Sequence, residues 1–201
     1  MTVESPKILH FDTLPSTNSY ALDNLQRLED CTVISAEVQT AGKGRLGRKW
    51  VSNTPNNLYL SIILKNIINP EVFGTFPLYT ALCTCNTLQL YNVMPKIKWP
   101  NDILVNNSKI AGILCETKSS ANGCIVIGIG INLNQEIGCL QQIDQPATSL
   151  NIILQKFIEP SLFQKALLDI FFGSLPAYKA KGFAQFNDDF LAFLLPKLID
   201  R

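Results

Sequence analysis

Between Gln39 and Trp50 the chain reads Gln-Thr-Ala-Gly-Lys-Gly-Arg-Leu-Gly-Arg-Lys-Trp, so Gly42, Gly44 and Gly47 alternate with the cations Lys43, Arg45, Arg48 and Lys49. Glycine permits positive φ and lets a ligand come close to the backbone. Exposed N–H groups in such a turn form a concavity for anions, and the cations add charge-assisted bonds to phosphate or carboxylate oxygens. Taken alone, the run also fits a flexible basic surface loop. Gly42, Gly44 and Gly47 match G-x-G-x-x-G, but the dinucleotide fingerprint needs a helix directly afterwards. The following Arg48 to Pro55 has no helical period. A Walker A loop fails too, because no Gly-Lys pair precedes Ser or Thr. The stretch is an anion loop of another kind.

Three more stretches carry groups that a purely structural role does not need. Ser16-Thr17-Asn18 follows Pro15 and serves as a helix cap, and a helix N-terminus also offers N–H groups to a polar ligand. Ile97-Lys98-Trp99-Pro100-Asn101-Asp102 interrupts an apolar β region with charge, and its proline predicts an extended backbone just before Asn101. Lys109 opens the run Lys-Ile-Ala-Gly-Ile-Leu-Cys-Glu where an apolar residue would pack better; a solvated lysine beside a turn is the plain alternative. In Cys124 to Leu133, Gly128 and Gly130 fall on one side of a strand, leaving a bare strip against which a close-packed element or a flat ligand must lie.

The elements that position these groups follow from periodicity. Strands are expected over Ile8–Asp12, Cys31–Val38, Asn57–Leu64 (apolar on both faces, hence central), a hairpin from Asp102 through Asn106-Asn107-Ser108 to Glu116, and Cys124–Leu133. Helices are expected after Ser16 (Ala21, Leu22, Leu25, Leu28), over Phe76–Tyr91, from Leu150 toward Leu154 and Phe157, after a Ser161 cap (Leu162 to Phe171), and over Phe183–Leu195. In that last helix Phe183, Phe186, Phe190, Leu191 and Leu194 share one side. The order predicts one α+β domain over residues 1–201, a mixed sheet backed by helices.

Composition narrows the function. Of 201 residues, 47% are apolar and 16% charged, and the net charge is +1. The positive charge is concentrated in one loop, which argues against a general grip on nucleic acid. The six cysteines contain no Cys-x-x-Cys pair and the single histidine is His10, so neither a disulfide scaffold nor a resident metal is expected. They read as small buried hydrophobes in a reducing cytoplasm. The N-terminus lacks a signal peptide pattern, and no apolar run is long enough to span a bilayer.

Together these stretches resemble the catalytic domain of biotin–protein ligases, also called biotin–[acetyl-CoA-carboxylase] ligases. The resemblance runs over about residues 8 to 135. It is carried in order by Ser16-Thr17-Asn18, Gln39 to Trp50, Lys98-Trp99-Pro100-Asn101-Asp102, Lys109 to Glu116, and Gly128-Ile-Gly-Ile-Asn132. It implies a class II aminoacyl-tRNA synthetase/biotin ligase-like fold with a mixed, largely antiparallel sheet. It also implies a two-step reaction in which biotin's carboxylate attacks the α-phosphate of ATP, with Mg²⁺, to give biotinyl-5′-adenylate. A lysine of a biotin carboxyl carrier protein then attacks the mixed anhydride.

By that resemblance Ser16, Thr17, Asn18 and Gln39 bind the ureido and thiophene end of biotin, and Lys43, Gly44 and Arg45 close over it. Lys109 meets the carboxylate and α-phosphate, making Lys109 and Arg45 the catalytic pair. Gly42, Arg48, Trp50, Asn101, Asp102 and Asn132 serve ATP and the adenylate, Asn101 and Asp102 on the ribose and metal side.

Lys43 and Leu46 each stand where relatives carry arginine, which predicts a loop that releases adenylate more readily. No C-terminal SH3-like domain and no N-terminal winged helix are expected, so DNA binding is not. A homodimer through sheets meeting side by side is compatible with the likeness. The alternatives are a lipoate–protein ligase or octanoyltransferase, and a non-catalytic biotin- or nucleic-acid-binding module.

Overall fold

The computed structural model describes residues 6–118 and 123–196. Seven strands form one sheet: β1 (Ile8–Leu14), β2 (Val33–Gln39), β3 (Leu58–Leu64), β4 (Lys96–Lys98), β5 (Asp102–Val105), β6 (Ser108–Glu116) and β7 (Ile125–Ile131). Their order is β1-β2-β3-β7-β6-β5-β4. Only β1 and β2 pair in parallel; every other neighbour is antiparallel. The sheet is therefore mixed and largely antiparallel, as expected.

Period-2 alternation divides the sheet's two faces. Leu58, Leu60, Ile62 and Leu64 of β3, with Ile125, Ile127, Ile129 and Ile131 of β7, join the large core beneath the long helices α2 (Pro70–Gln89) and α5 (Pro160–Lys181). Ile63 and Val126 face the other way and pack with Ala21 of the short helix α1 (Thr17–Asp23). All seven residues of β3 are buried, because both of its faces are covered. Between α2 and α5, Tyr79 and Tyr178 stack with centroids 4.2 Å apart. Their hydroxyls are satisfied by the Phe171 and Val72 carbonyls, as buried phenols require.

Several helix bounds differ from expectation. α2 begins at Pro70, six residues earlier than periodicity indicates, because Asn69 caps it by accepting from Glu71 N–H at 2.9 Å and proline suits the first position. α1 ends at Asp23, and Leu25 and Leu28 pack from a turn. α5 is capped at Glu159, with Pro160 at its start; Ser161 lies inside it and donates to the Glu159 carboxylate at 2.9 Å. Leu162 is exposed on α5. Helix α4 (Leu150–Leu154) stops at Gln155, which takes positive φ, leaving Phe157 exposed. The terminal helix divides into a 3₁₀ turn (Ala184–Phe186) and α6 (Asn187–Phe193), with Leu191 outward. Of the six cysteines, all free, only Cys83 and Cys85 are fully inside; Cys31, Cys115, Cys124 and Cys139 are half-buried.

Candidate active site

A cavity of about 410 Å³ opens on the α1 side of the sheet. Of the residues singled out by sequence, Ser16, Thr17, Asn18, Gln39, Lys43, Gly44, Arg45, Arg48, Trp50, Asn101, Asp102, Lys109 and Asn132 line it. Gly42 does not. It sits at the base of the glycine loop, where an added Cβ would run into Ser52 Oγ and the Trp50 carbonyl. Its glycine is explained by that close approach.

The loop is a small hairpin. Lys43 bridges Lys49, Gly44 N–H donates to the Arg48 carbonyl at 2.7 Å, and Trp50 N–H donates to the Gly42 carbonyl at 3.0 Å. These two donors are spent internally, and the loop's four cations supply positive charge for an anion. At the tip Leu46 holds φ 55 and Gly47 φ 73. The loop is latched across the cavity by Arg45, whose guanidinium donates to Asn101 Oδ1 at 3.0 Å. Asn101 is itself held by donating to the Ile113 carbonyl at 3.0 Å and accepting from Ile113 N–H at 3.0 Å. The Trp99–Pro100 peptide is cis, and residues 99–101 form a turn between β4 and β5 instead of the extended run expected.

Lys109 reaches the cavity because of one extra residue. Asp102 pairs with Gly112 and Ile103 with Ala111, but Leu104 pairs with Lys109, so Ile110 is the surplus residue on β6. Strict alternation from Gly112 would point residue 110 at the cavity and residue 109 into the core. The bulge reverses this: Ile110 is fully buried in the core and Lys109 shares the face of Asp102. Lys109 Nζ lies 2.7 Å from Asp102 Oδ1 and 5.3 Å from the Trp50 ring centre. The pair is close enough for strong attraction, though the ammonium lies off the oxygen's hydrogen-bonding direction. Both side chains are mostly shielded, at 14% and 17% exposure, so salt screens this pair less than a surface bridge.

The bare strip has its occupants. Asn18 lies against Gly128, and the Trp50 ring lies on Gly130, where an added Cβ would stand 2.5 Å from the indole. Gly112 extends the strip, with the Trp50 ring 3.0 Å from its would-be Cβ. Trp50 Nε1 is buried with no partner among the described residues, an N–H left for a ligand. At the other end Thr17 N–H donates to Gln39 Oε1 at 2.8 Å, and Ser16 caps α1 by accepting from Ser19 N–H. Asn132 is buried and donates to the Thr148 carbonyl at 3.0 Å.

Some wall residues carry no sequence signal. Ile143, Gln145 and Ala147 reach the cavity because residues 146–148 run beside Lys109, with Lys109 N–H on the Pro146 carbonyl and Thr148 N–H on the Lys109 carbonyl, both 2.9 Å. Behind the wall, Ser61 and Glu116 hold Thr17 and Asn18. Ser61 was detectable as a small polar residue within Leu-Tyr-Leu-Ser-Ile-Ile-Leu.

The electrostatics are one-sided. Lys43, Arg45, Arg48, Lys49, Lys98 and Lys109 line the cavity against a single carboxylate, Asp102. Such a wall suits a polyanion bound beside a second, smaller anion. The polar end at Ser16–Gln39 suits a small neutral group with hydrogen-bonding atoms. Among the described residues no group of three or more His, Cys, Asp or Glu could cage a metal ion, and no helix is long and apolar enough to cross a membrane.

Residues 10–132 match the model of the biotin/lipoate A/B protein ligase family. The chain is 36% identical over 134 residues to the bifunctional ligase/repressor BirA of Bacillus subtilis, covering 64% of this chain and 41% of that protein. The chain thus spans about two fifths of the length of that relative. It is 30% identical over 184 residues to the biotin–[acetyl-CoA-carboxylase] ligase of Paracoccus denitrificans, covering 88% of this chain and 76% of that one. In fold it is similar to the Aquifex aeolicus biotin protein ligase in complex with biotin and ATP, with TM-score 0.81, 29% identity, and coverage of 94% and 78%.

Proposed function

The chain belongs to the biotin/lipoate A/B protein ligase family, and from that premise we propose that it joins biotin to ATP as biotinyl-5′-adenylate and transfers biotin to a lysine of a biotin carboxyl carrier protein. The observation that carries the reading is that Arg45 and Lys109, from the loop and from β6, line one cavity with the Ser16–Asn18 turn. Carboxylate and triphosphate repel each other. Fixed cations that neutralise both allow them to be held in line for attack.

In this reading the ureido end of biotin lies among Ser16, Thr17, Asn18 and Gln39. Lys109 neutralises the carboxylate oxygen and the α-phosphate as charge builds on the latter. Asp102 keeps the amine in place until those anions arrive. Arg45, latched to Asn101, closes the glycine loop over the mixed anhydride and excludes water from it. Trp50 borders the nucleotide and Asn132 the adenine.

A Mg²⁺ accompanying the triphosphate would be held on the protein side by Asp102, the one carboxylate lining the cavity, and would supply charge neutralisation there. One core running from Val33 to Phe193 supports a single catalytic domain. Six free thiols suit a reducing cytoplasm.

Biotin-dependent exchange of pyrophosphate into ATP tests the proposal: exchange with biotin, lost in Lys109→Ala, is expected. Exchange driven by lipoate and not by biotin would overturn it in favour of lipoate ligation.

A further inference from the structure

Beyond the last residue of β7 the sheet changes partner. Ile131 closes β7 opposite Ala111, so Lys109 and the surplus Ile110 of β6 have no β7 residue beside them. Residues 146–148 take that place as a strap, with Ala147 bridged in parallel to Lys109. Lys109 N–H donates to the Pro146 carbonyl and the Lys109 carbonyl accepts from Thr148 N–H, both at 2.9 Å. The backbone of the lysine is thus pinned by the strap.

The strap in turn is held by Asn132, the first residue after β7. Its backbone N–H donates to the Ile110 carbonyl at 2.9 Å, on the bulge itself. Its own carbonyl accepts from Leu150 N–H at 3.0 Å, two residues past the strap. The side chain closes the span between these anchors, with Nδ2 donating to the Thr148 carbonyl at 3.0 Å. Asn132 is buried, so this bond meets little competition from water.

A bulge needs such a hold. Its extra residue lacks a ladder partner to fix the local backbone, and the Cα–Cβ direction of Lys109 decides where an ammonium several bonds away comes to rest. A catalytic group must be held within about 0.5 Å of its productive position. Displacement by about 1 Å costs on the order of 10²-fold in rate.

We infer that Asn132 is a positioning residue for Lys109, fastening the 146–148 strap to the end of the sheet so that the bulge aims the ammonium into the cavity. The inference rests on the proposed function, which gives Lys109 its chemistry. It assigns Asn132 a task distinct from bordering the adenine, and the two tasks separate by experiment. Contact with the base acts on ATP whatever residue stands at 109, whereas positioning acts only through the lysine.

The test uses the whole chain with Asn132→Ala and Thr148→Pro, each alone and combined with Lys109→Ala. Thr148→Pro removes the N–H that the strap gives to the Lys109 carbonyl, at a residue that does not line the cavity. Pyrophosphate exchange gives kcat and both KM values, and single-turnover adenylate formation reads the slow rates that remain without the lysine. Each single variant is expected to lower kcat roughly tenfold, a smaller loss than removal of the lysine itself. In the Lys109→Ala background the same change is expected to alter the rate by no more than about twofold. Amide hydrogen exchange adds a readout independent of activity. The Lys109 amide is expected to be protected in the wild type and to exchange at least about tenfold faster in Asn132→Ala, while the amides of β7 keep their protection.

An undiminished loss in the Lys109→Ala background, a loss confined to the KM for ATP, or wild-type kcat in Thr148→Pro would overturn the inference and leave biotin ligation standing. So would a Lys109 amide that exchanges freely in the wild type. Wild-type protein that makes no adenylate from biotin would overturn the proposed function and this inference together.

Discussion

Lys109 Nζ stands 2.7 Å from Asp102 Oδ1, and only the surplus residue Ile110 in β6 brings the two to the same face of the sheet. The sequence reading placed Asp102 on the ribose and metal side; in the fold its carboxylate meets the lysine first. On the proposed function, the ammonium exchanges that carboxylate for substrate anions.

Lys109→Ala is expected to lower biotin-dependent pyrophosphate exchange about 10²–10³-fold, the usual loss for one preorganised donor. Asp102→Asn keeps the shape and removes the charge that aims the amine, so a smaller fall in kcat, roughly tenfold, is expected. Steady-state exchange rates check both, and a fall as large in Asp102→Asn would mean that Asp102 touches substrate directly.

The latch from Arg45 to Asn101 predicts how long the intermediate stays. Asn101→Ala removes a hydrogen bond to an exposed cation and is expected to speed adenylate release by roughly fivefold. Leu46, 87% exposed at the loop tip, brings no charge there. Leu46→Arg is expected to slow release. Loss of radiolabelled adenylate from isolated complex measures both rates, and an unchanged rate in Leu46→Arg would remove that residue from the account.

Gly130→Ala puts a methyl 2.5 Å from the Trp50 indole, and the ring must leave the strip. The KM for ATP is expected to rise more than the KM for biotin, with a shift in tryptophan emission. Unchanged emission would show that the ring had not moved.

Burial pushes the Cys83 thiol up to about 12, leaving roughly one molecule in ten thousand as thiolate at pH 8. Burial likewise raises Cys85. These two are expected to stay unmodified by a thiol reagent at pH 8 in the native protein and to react fully in denaturant, read by intact-mass spectrometry. Labelling of Cys83 before unfolding would contradict its burial.

Read from sequence alone, the order of elements was largely right, and most of the residues singled out line one cavity. Strands such as Leu58–Leu64 announce themselves because burial of both faces demands an unbroken apolar run. The paired Gly128 and Gly130 announce a close neighbour because a bare strip must be filled. The family's motifs named Arg45 and Lys109, since the chemistry of two repelling anions calls for cations in number. Helix bounds were less legible: Asn69-Pro70 reads as a turn, and only the packing of α2 shows it to be a helix start.

What the tertiary structure decided is direction. A bulge has no signature in residue types, yet it turns Lys109 toward Asp102 and Ile110 into the core. The same holds for Ser61 and Glu116, on different strands, which come within hydrogen-bonding distance of Thr17 and Asn18 only in the folded sheet. Local spacing determines which side chains exist on a face. Which way each donor points depends on partners tens of residues away, because a hydrogen bond is a property of two groups and the sequence writes them one at a time.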